Sequence, residues 1–406
     1  MTKIQKYYLF IILILSITAR TISIYLFGDT EVSNEWGILL NNLENNGILS
    51  VHSVQGTPVP NIFMPPLYPF FLYAIKMFFN NLELYLWTVQ FIQLIFGVLS
   101  IYLIYLITRN LFSRNLSIIG TGIFSLFPLN VYAVSQISSI TIQVFLLNLF
   151  IYSYLKIFKD VNYKHIFLFS VSSALLILLR GEFFVFVILS LIYFYIKNKK
   201  LDKVLIISLI TVLIISPYLY RNYKLFNVVT ITKSSGYNLL KGNHPRTKVE
   251  GTGMFLKVEQ VIPEVKSELE KLKSEGPQVK YDLLQDQILM DQAIKFIKEN
   301  PFKYLNLYFK KFISFMFIDL DASYPNYYSP MHTIPKIIIS ILSFFGMIIA
   351  YSMRINITNY FILFYLANIS LFSVFFILPR YSLSLLTIQT ILSLFTIKKI
   401  NSYLKL

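Results

Sequence analysis

The chain has 406 residues, of which 56% are hydrophobic, 17% aromatic and only 14% charged. Soluble domains carry about 25% charged residues, so a water-soluble globular class does not fit. The absence of cysteine removes disulfides, thiol chemistry and Cys-ligated metal. The net charge of +16 reads as basic residues facing cytoplasm and anionic lipid rather than nucleic acid.

Apolar runs recur from end to end and predict about ten transmembrane helices: Tyr7–Phe27, Leu84–Thr108, Leu116–Ala133, Ile140–Leu155, His165–Leu179, Phe183–Ile196, Val204–Tyr218, Ile334–Tyr351, Ile357–Phe376 and Ser382–Ile397. The first run is too long for a removable signal peptide and lacks a small-residue cleavage site. It reads as a retained signal anchor. One set of alternate loops collects Arg109, Arg114, Lys156, Lys159, Lys164, Lys197, Lys199, Lys200, Lys203, Arg354, Lys398 and Lys399, opposed only by Asp160 and Asp202. By the positive-inside rule that side is cytoplasmic and holds both termini. The fold class is thus an all-α polytopic membrane protein in one unit, 1–406. Its first outer loop, 28–83, is long, and its larger outer loop, 221–333, is helical.

The first outer loop opens with "GDTEVSNEWGILLNNLENNG", which places Asp29, Glu31, Glu35 and Glu44 in a chain of only 20 acidic residues. Ser33 is expected to cap a helix over 34–46 that Gly47 ends. Its stripe of Trp36, Leu39, Leu40 and Leu43 suits a membrane surface. The carboxylates are either solvated exterior residues or a general base and electrostatic partner at that surface. Next, "FMPPLYPFFLYAIKMFF" (Phe63–Phe79) contains Pro65, Pro66, Pro69 and Lys76. Counting it as a span would invert every later loop, so it reads as an interfacial helix.

Arginines follow at the outer ends of spans: Arg180 in "LLRGEFF", Arg221 in "SPYLYRNYKLF" and Arg380 in "FFILPRYSLSL", with Arg20 in the last third of the first span. Each alone could snorkel to lipid headgroups. Together they suggest an anionic ligand such as phosphate, which guanidinium binds in bidentate fashion. Asn243 and His244 in "SSGYNLLKGNHP" could hydrogen-bond a sugar or pyrophosphate. The segment Glu259–Pro301 reads as two helices broken at Gly276–Pro277, the second with Leu283, Leu284, Ile288, Ala293, Ile294 and Ile297 on one face. Walker-type glycine loops, His-rich metal spacing and a Ser-His-Asp pattern are absent.

The succession "NEWGILLNNLENNG", "GTPVPNIFMPPLYPFFLYAI", "LLRGE", "SPYLYRNYKLFNVVTITKSSGYNLLKGNHP", "AIKFIKENPFKYLNLYFKK" and "LPRYSLSLLTIQTIL" resembles bacterial membrane glycosyltransferases of the GT-C fold. The resemblance is to the protein-mannosyltransferase-like family 39 group, whose relatives include lipid A aminoarabinose transferases. It implies an enzyme that moves a sugar from a polyprenyl-phosphate donor to a lipid, glycan or protein acceptor on the outer (periplasmic) face of the bacterial inner membrane. It also implies an acidic residue of the first outer loop at the catalytic centre and arginines on the donor phosphate. The Asp-Glu pair of many relatives is replaced here by Val32 and Ser33, whereas Glu35-Trp36-Gly37 matches a subgroup's triplet. Glu35 therefore ranks first, Glu31 second and Asp29 third. Arg180, Arg221 and Arg380 are the expected donor-phosphate ligands; Asn243, His244, Tyr68 and Tyr381 are expected substrate contacts. "SQISSIT" (Ser135–Thr141) lacks the second outer acid of some relatives, which leaves a role for a divalent cation open. A lipid-linked sugar or polysaccharide flippase or exporter, or a non-catalytic lipid-linked sugar binding protein, are the rival classes. A flippase needs polar groups through the full depth of the spans, and here they gather on the outer side.

Overall fold

The structure is a computed structural model that describes residues 3–250, 262–319 and 329–403. The first residues of the expected helical segment Glu259–Pro301 lie outside the described residues. Helices make up most of the chain, with one two-stranded hairpin, Ser53–Val54 and Thr57–Pro58.

Among the described residues, seven helices are long and apolar enough to cross a membrane. They lie in α1 (Lys3–Phe27), α4 (Leu82–Arg109), α7 (Ile140–Lys159), α10 (Leu201–Phe226), α15 (Pro330–Ser352), α16 (Asn356–Val374) and the continuous run from the 3-10 turn Pro379–Leu385 through α17 (Leu386–Tyr403). Two shorter apolar helices, α8 (Tyr163–Leu179) and α9 (Phe183–Asn198), match two further expected spans. The expected span Leu116–Ala133 is divided into α5 (Arg114–Ser125) and α6 (Pro128–Tyr132). Pro128 lacks an N–H and drives Phe127 into an extended conformation, φ −62° and ψ 118°, so the helix cannot run through.

Between α1 and α4 lie α2 (Asn34–Asn46) and α3 (Leu67–Lys76), the latter only ten residues long. Gly47 ends α2 at φ 65°, as its sequence suggests, and its N–H bonds Asn42 O. Two details of α2 differ from expectation. Ser33 sits at the N-cap with extended backbone but makes no side-chain cap bond. The apolar stripe turns inward: Leu39 and Leu40 are buried, and Trp36 packs edge-on against buried Tyr68 with ring centroids 4.9 Å apart.

The larger outer region folds as α11 (Ser235–Gly242), α12 (Pro263–Ser274), α13 (Tyr281–Glu299) and α14 (Pro301–Met316). Gly276, at φ 87°, turns the chain between α12 and α13. The buried face of α13 is rotated from the one expected. Leu284 and Ile294 are exposed, while Asp282 and Asp286 are buried beside Leu289, Ala293 and Phe296.

Close packing between spans rests on small residues, as in other helical membrane proteins. A Cβ added at Gly346 of α15 would lie 1.9 Å from Leu392 O of α17. Gly346→Leu is therefore expected to force α15 and α17 apart and to cost about 1–3 kcal/mol, read as a lower melting temperature of the detergent-solubilised protein. An unchanged melting temperature would show that this contact does not set the spacing.

Candidate active site

The first span delivers Asp29 two residues past its end, and the segment between α6 and α7 captures it. Asp29 N donates to Ser135 O at 3.1 Å, and Ile137 N donates to Asp29 Oδ2 at 2.6 Å. Two glutamines on α4, one turn apart, brace this junction. Gln90 Nε2 donates to Asp29 O and to Ser135 O, both at 3.1 Å; Gln93 Nε2 donates to Val134 O at 3.1 Å and Gln136 O at 2.9 Å. The junction exists because the break at Phe127–Pro128 frees the chain to form a non-helical loop whose N–H groups are available to Asp29. Burial pushes the Asp29 carboxyl above its ordinary value; the Ile137 N–H opposes this, and the nearby Glu31 adds to it.

Asp29 lines a cavity of about 810 Å³ shared by several segments. Glu35 and Trp36 come from α2, and Phe63, Met64 and Pro65 from the first outer loop. Arg180 and Glu182 enter from the α8–α9 corner, Tyr237 and Lys241 from α11, and Arg380 and Tyr381 from the turn before α17. Arg180 stands at the extended C-cap of α8, donating Nε to Glu182 Oε1 at 2.6 Å and Nη1 to Gln143 Oε1 at 3.1 Å. Its guanidinium lies 4.9 Å from the Tyr381 ring centroid, and that of Arg380 lies 5.9 Å from the same ring. Lys241 Nζ donates to Tyr237 Oη at 3.2 Å and sits 4.7 Å from the Phe376 ring centroid. Burial lowers its ammonium pKa, the negative charge of Glu35 raises it, and Arg380 lowers it further. Glu35 and Arg380 thus both act electrostatically on Lys241.

Five of the residues singled out in the sequence meet here: Asp29, Glu35, Arg180, Arg380 and Tyr381. The others lie elsewhere. Glu31 is exposed outside the cavity lining. Tyr68 is buried behind Trp36 and donates to Gln93 Oε1 at 3.0 Å. Arg221 lies within α10 and ties it to the first outer loop, donating Nη1 to Asn61 O at 2.6 Å and to Asn222 Oδ1 at 2.7 Å. Asn243 is buried and donates to Leu239 O at 2.8 Å and Val374 O at 2.9 Å. His244 accepts from Arg246 N at 3.2 Å, and burial, with the positive charge of Lys303, Lys311 and Arg246, lowers its pKa to about 4. Arg20 is fully buried at the α1–α5 contact, where it donates to Ser125 O at 2.8 Å and bonds Ser16 Oγ. Lys241, Gln90 and Gln93 were not singled out from the sequence. The available signal was a Gln-x-x-Gln pair inside an apolar run and a lysine in the motif "LLKGN". Among the described residues, no group of three or more His, Asp or Glu side chains gathers as a metal site.

The order and packing of these helices are those of the GT-C fold. A family model described as dolichyl-phosphate-mannose-protein mannosyltransferase matches residues 64–220. Among solved structures, the oligosaccharyltransferase of Archaeoglobus fulgidus tethered to an acceptor peptide aligns with a TM-score of 0.56 at 14% identity, covering 98% of this chain and 50% of that one. The same organism's oligosaccharyltransferase AglB, in complex with an inhibitory peptide and a dolichol-phosphate, aligns with a TM-score of 0.57 at 14% identity, covering 99% and 51%. The chain thus spans about half the length of the archaeal proteins it resembles, and at this identity the likeness establishes the fold. No curated protein matches the sequence.

Proposed function

We propose that the protein is a glycosyltransferase that moves a sugar from a polyprenyl-phosphate-linked donor to an acceptor hydroxyl at the outer face of the membrane. The observation that carries this reading is the single cavity that holds Asp29 and Glu35 together with Arg180, Lys241 and Arg380. A donor phosphate gains negative charge as it leaves, so cations fixed beside it stabilise the transition state more than the ground state. The archaeal structure that binds dolichol-phosphate has the same fold, which favours a lipid phosphate as the anion. The positive-inside distribution of loop charges favours an outer-leaflet position for the cavity.

In this reading Asp29 takes precedence over Glu35 as the base. It is half-buried, oriented by the Ile137 N–H, and its proton affinity is raised by burial. Glu35 is exposed, and its negative charge raises the pKa of Lys241. The acceptor oxygen attacks the anomeric carbon, the C–O bond to phosphate breaks, and the lipid leaves as its phosphate. The acceptor proton passes to Asp29.

A base works only when ionised, so the rate should fall as pH drops through the Asp29 pKa. Burial places that acid limb above the ordinary carboxylate value, and Asp29→Asn should abolish the limb itself. A limb at the ordinary carboxylate value, or one that survives in Asp29→Asn, would remove Asp29 from this role. The function itself is tested by incubating purified protein in lipid with a panel of polyprenyl-phosphate sugars and candidate acceptors. Acceptor-dependent release of lipid phosphate is expected. Translocation of intact donor without cleavage would identify a flippase instead.

A further inference from the structure

Helix α11 brings Ser235, Tyr237, Asn238 and Lys241 to the cavity, and both of its ends are held from behind by buried charges that do not line it. At the N-terminus, Tyr237 N donates to Asp286 Oδ1 at 3.1 Å. At the C-terminus, Lys311 Nζ donates to Gly242 O at 2.6 Å and to Asn243 Oδ1 at 3.2 Å. Negative charge at the start of a helix and positive charge at its end both favour its dipole. Asp286 is 3% exposed and Lys311 0%, so solvent screens neither. Neither carries an ion-pair partner among the described residues.

Two glycines let these charges approach. A Cβ at Gly236 would lie 2.1 Å from Asp286 O and 2.8 Å from Met290 N. One at Gly242 would lie 2.5 Å from Phe375 C and 2.6 Å from Phe376 N. The helix is therefore seated backbone to backbone on α13 at one end and on the segment leading to Arg380 at the other. Phe376 N donates to Asn238 O at 3.1 Å and completes the second contact. The distance between Lys241 and Arg380 is set by this seating.

We propose that Asp286 and Lys311 are positioning residues that clamp α11 at its two ends and so aim Lys241 at the phosphate of the lipid ligand. This rests on the reading of the cavity as a lipid-phosphate site. Burial of Lys311 lowers its pKa to about 7. The clamp does not depend on its charge state, because a neutral amine still donates to Gly242 O.

The test is a double-mutant cycle on the full chain in lipid nanodiscs, reading the Kd of farnesyl phosphate as the lipid monophosphate probe. Lys241→Met should weaken binding about tenfold or more, the loss of one hydrogen bond to a charged group. Lys311→Met should weaken it several-fold in the native background and less than twofold on top of Lys241→Met, since residues acting through one contact are not additive. Lys311→Gln, whose amide still donates, should recover most of the affinity. Gly236→Ala moves the helix without changing any charge, and should behave as Lys311→Met does; it carries the cycle if Lys311→Met fails to fold. Equal factors in both backgrounds, or no loss in either clamp variant, would overturn the positioning role alone. A silent Lys241→Met would instead overturn the assignment of Lys241 to the phosphate, and the aim proposed for the clamp with it.

Discussion

Asp29→Asn is expected to lower turnover by about 10²- to 10⁴-fold, the range of a lost general base, while leaving the affinity for lipid phosphate within a few-fold. Asparagine keeps the size of aspartate and an oxygen to accept from Ile137 N, so the junction with the α6–α7 segment should stay closed. What it loses is the capacity to take the acceptor proton. Asp29→Ala removes the accepting oxygen as well, and should add a loss of stability to the loss of rate. Glu35→Gln is the informative comparison. Glu35 is exposed and, unlike Asp29, is not placed here as the base, so its loss should weaken turnover by a smaller factor. A Glu35→Gln variant more damaged than Asp29→Asn would return Glu35 to the position its Glu-Trp-Gly motif suggests.

The second large effect is expected at Arg380. Removing one preorganised donor from a developing anion costs about 10²–10³ in rate, and Arg380→Met should fall in that range, with weaker binding of lipid phosphate. Arg180 donates Nε to Glu182 at 2.6 Å and Nη1 to Gln143 at 3.1 Å, so Arg180→Met should also disturb those two neighbours. Arg380 is set close enough to Lys241 to lower its pKa, and in the proposed reading both cations face the same phosphate. Arg380→Lys keeps the charge but loses the planar fork, and should be intermediate. If Arg380→Met turned over at the native rate, the phosphate would have to sit elsewhere in the cavity. The assay is initial rate against lipid-linked donor concentration, with Kd for farnesyl phosphate measured on the same preparations.

The spans could be read from the sequence because hydrocarbon imposes a length and a composition that a chain cannot disguise. The break at Phe127–Pro128 was not read, because Leu116–Ala133 is apolar enough to pass as one span although a proline lies within it. The site was less legible, because its contacts join residues far apart in the chain. What distinguishes Asp29 in the proposed reading is the N–H of Ile137, 108 residues away. Nothing in "GDTEVSNEWG" marks it over Glu35. Arg180 and Arg380 were recognisable as costly charges at the ends of apolar runs. Arg221, with the same local appearance, is spent on Asn61 O and Asn222 instead.

The rotated face of α13 failed for a related reason. A hydrophobicity pattern treats Asp282 and Asp286 as outward, yet each is paid for by specific donors. Asp282 accepts from Ile62 N at 3.0 Å and Phe63 N at 3.2 Å, and its Oδ1 lies 2.7 Å from His52 Nδ1. These two carboxylates, one turn apart, join the first outer loop to α11, so both walls of the cavity that carry Phe63 and Tyr237 are tied to a single helix. Phe63 and Tyr237 meet edge-on with ring centroids 5.3 Å apart. Buried acids of this kind are recognised from their partners, which the sequence does not display.

The central claim is a single displacement at the anomeric carbon, with Asp29 receiving the acceptor proton and Arg380 and Lys241 holding the departing lipid phosphate. The most direct measurement is the anomeric configuration of the product, determined by NMR on material made by the purified protein from a donor of known configuration. One in-line attack requires inversion. Retention of configuration would require a double displacement or a front-face substitution and would contradict a single in-line attack assisted by Asp29.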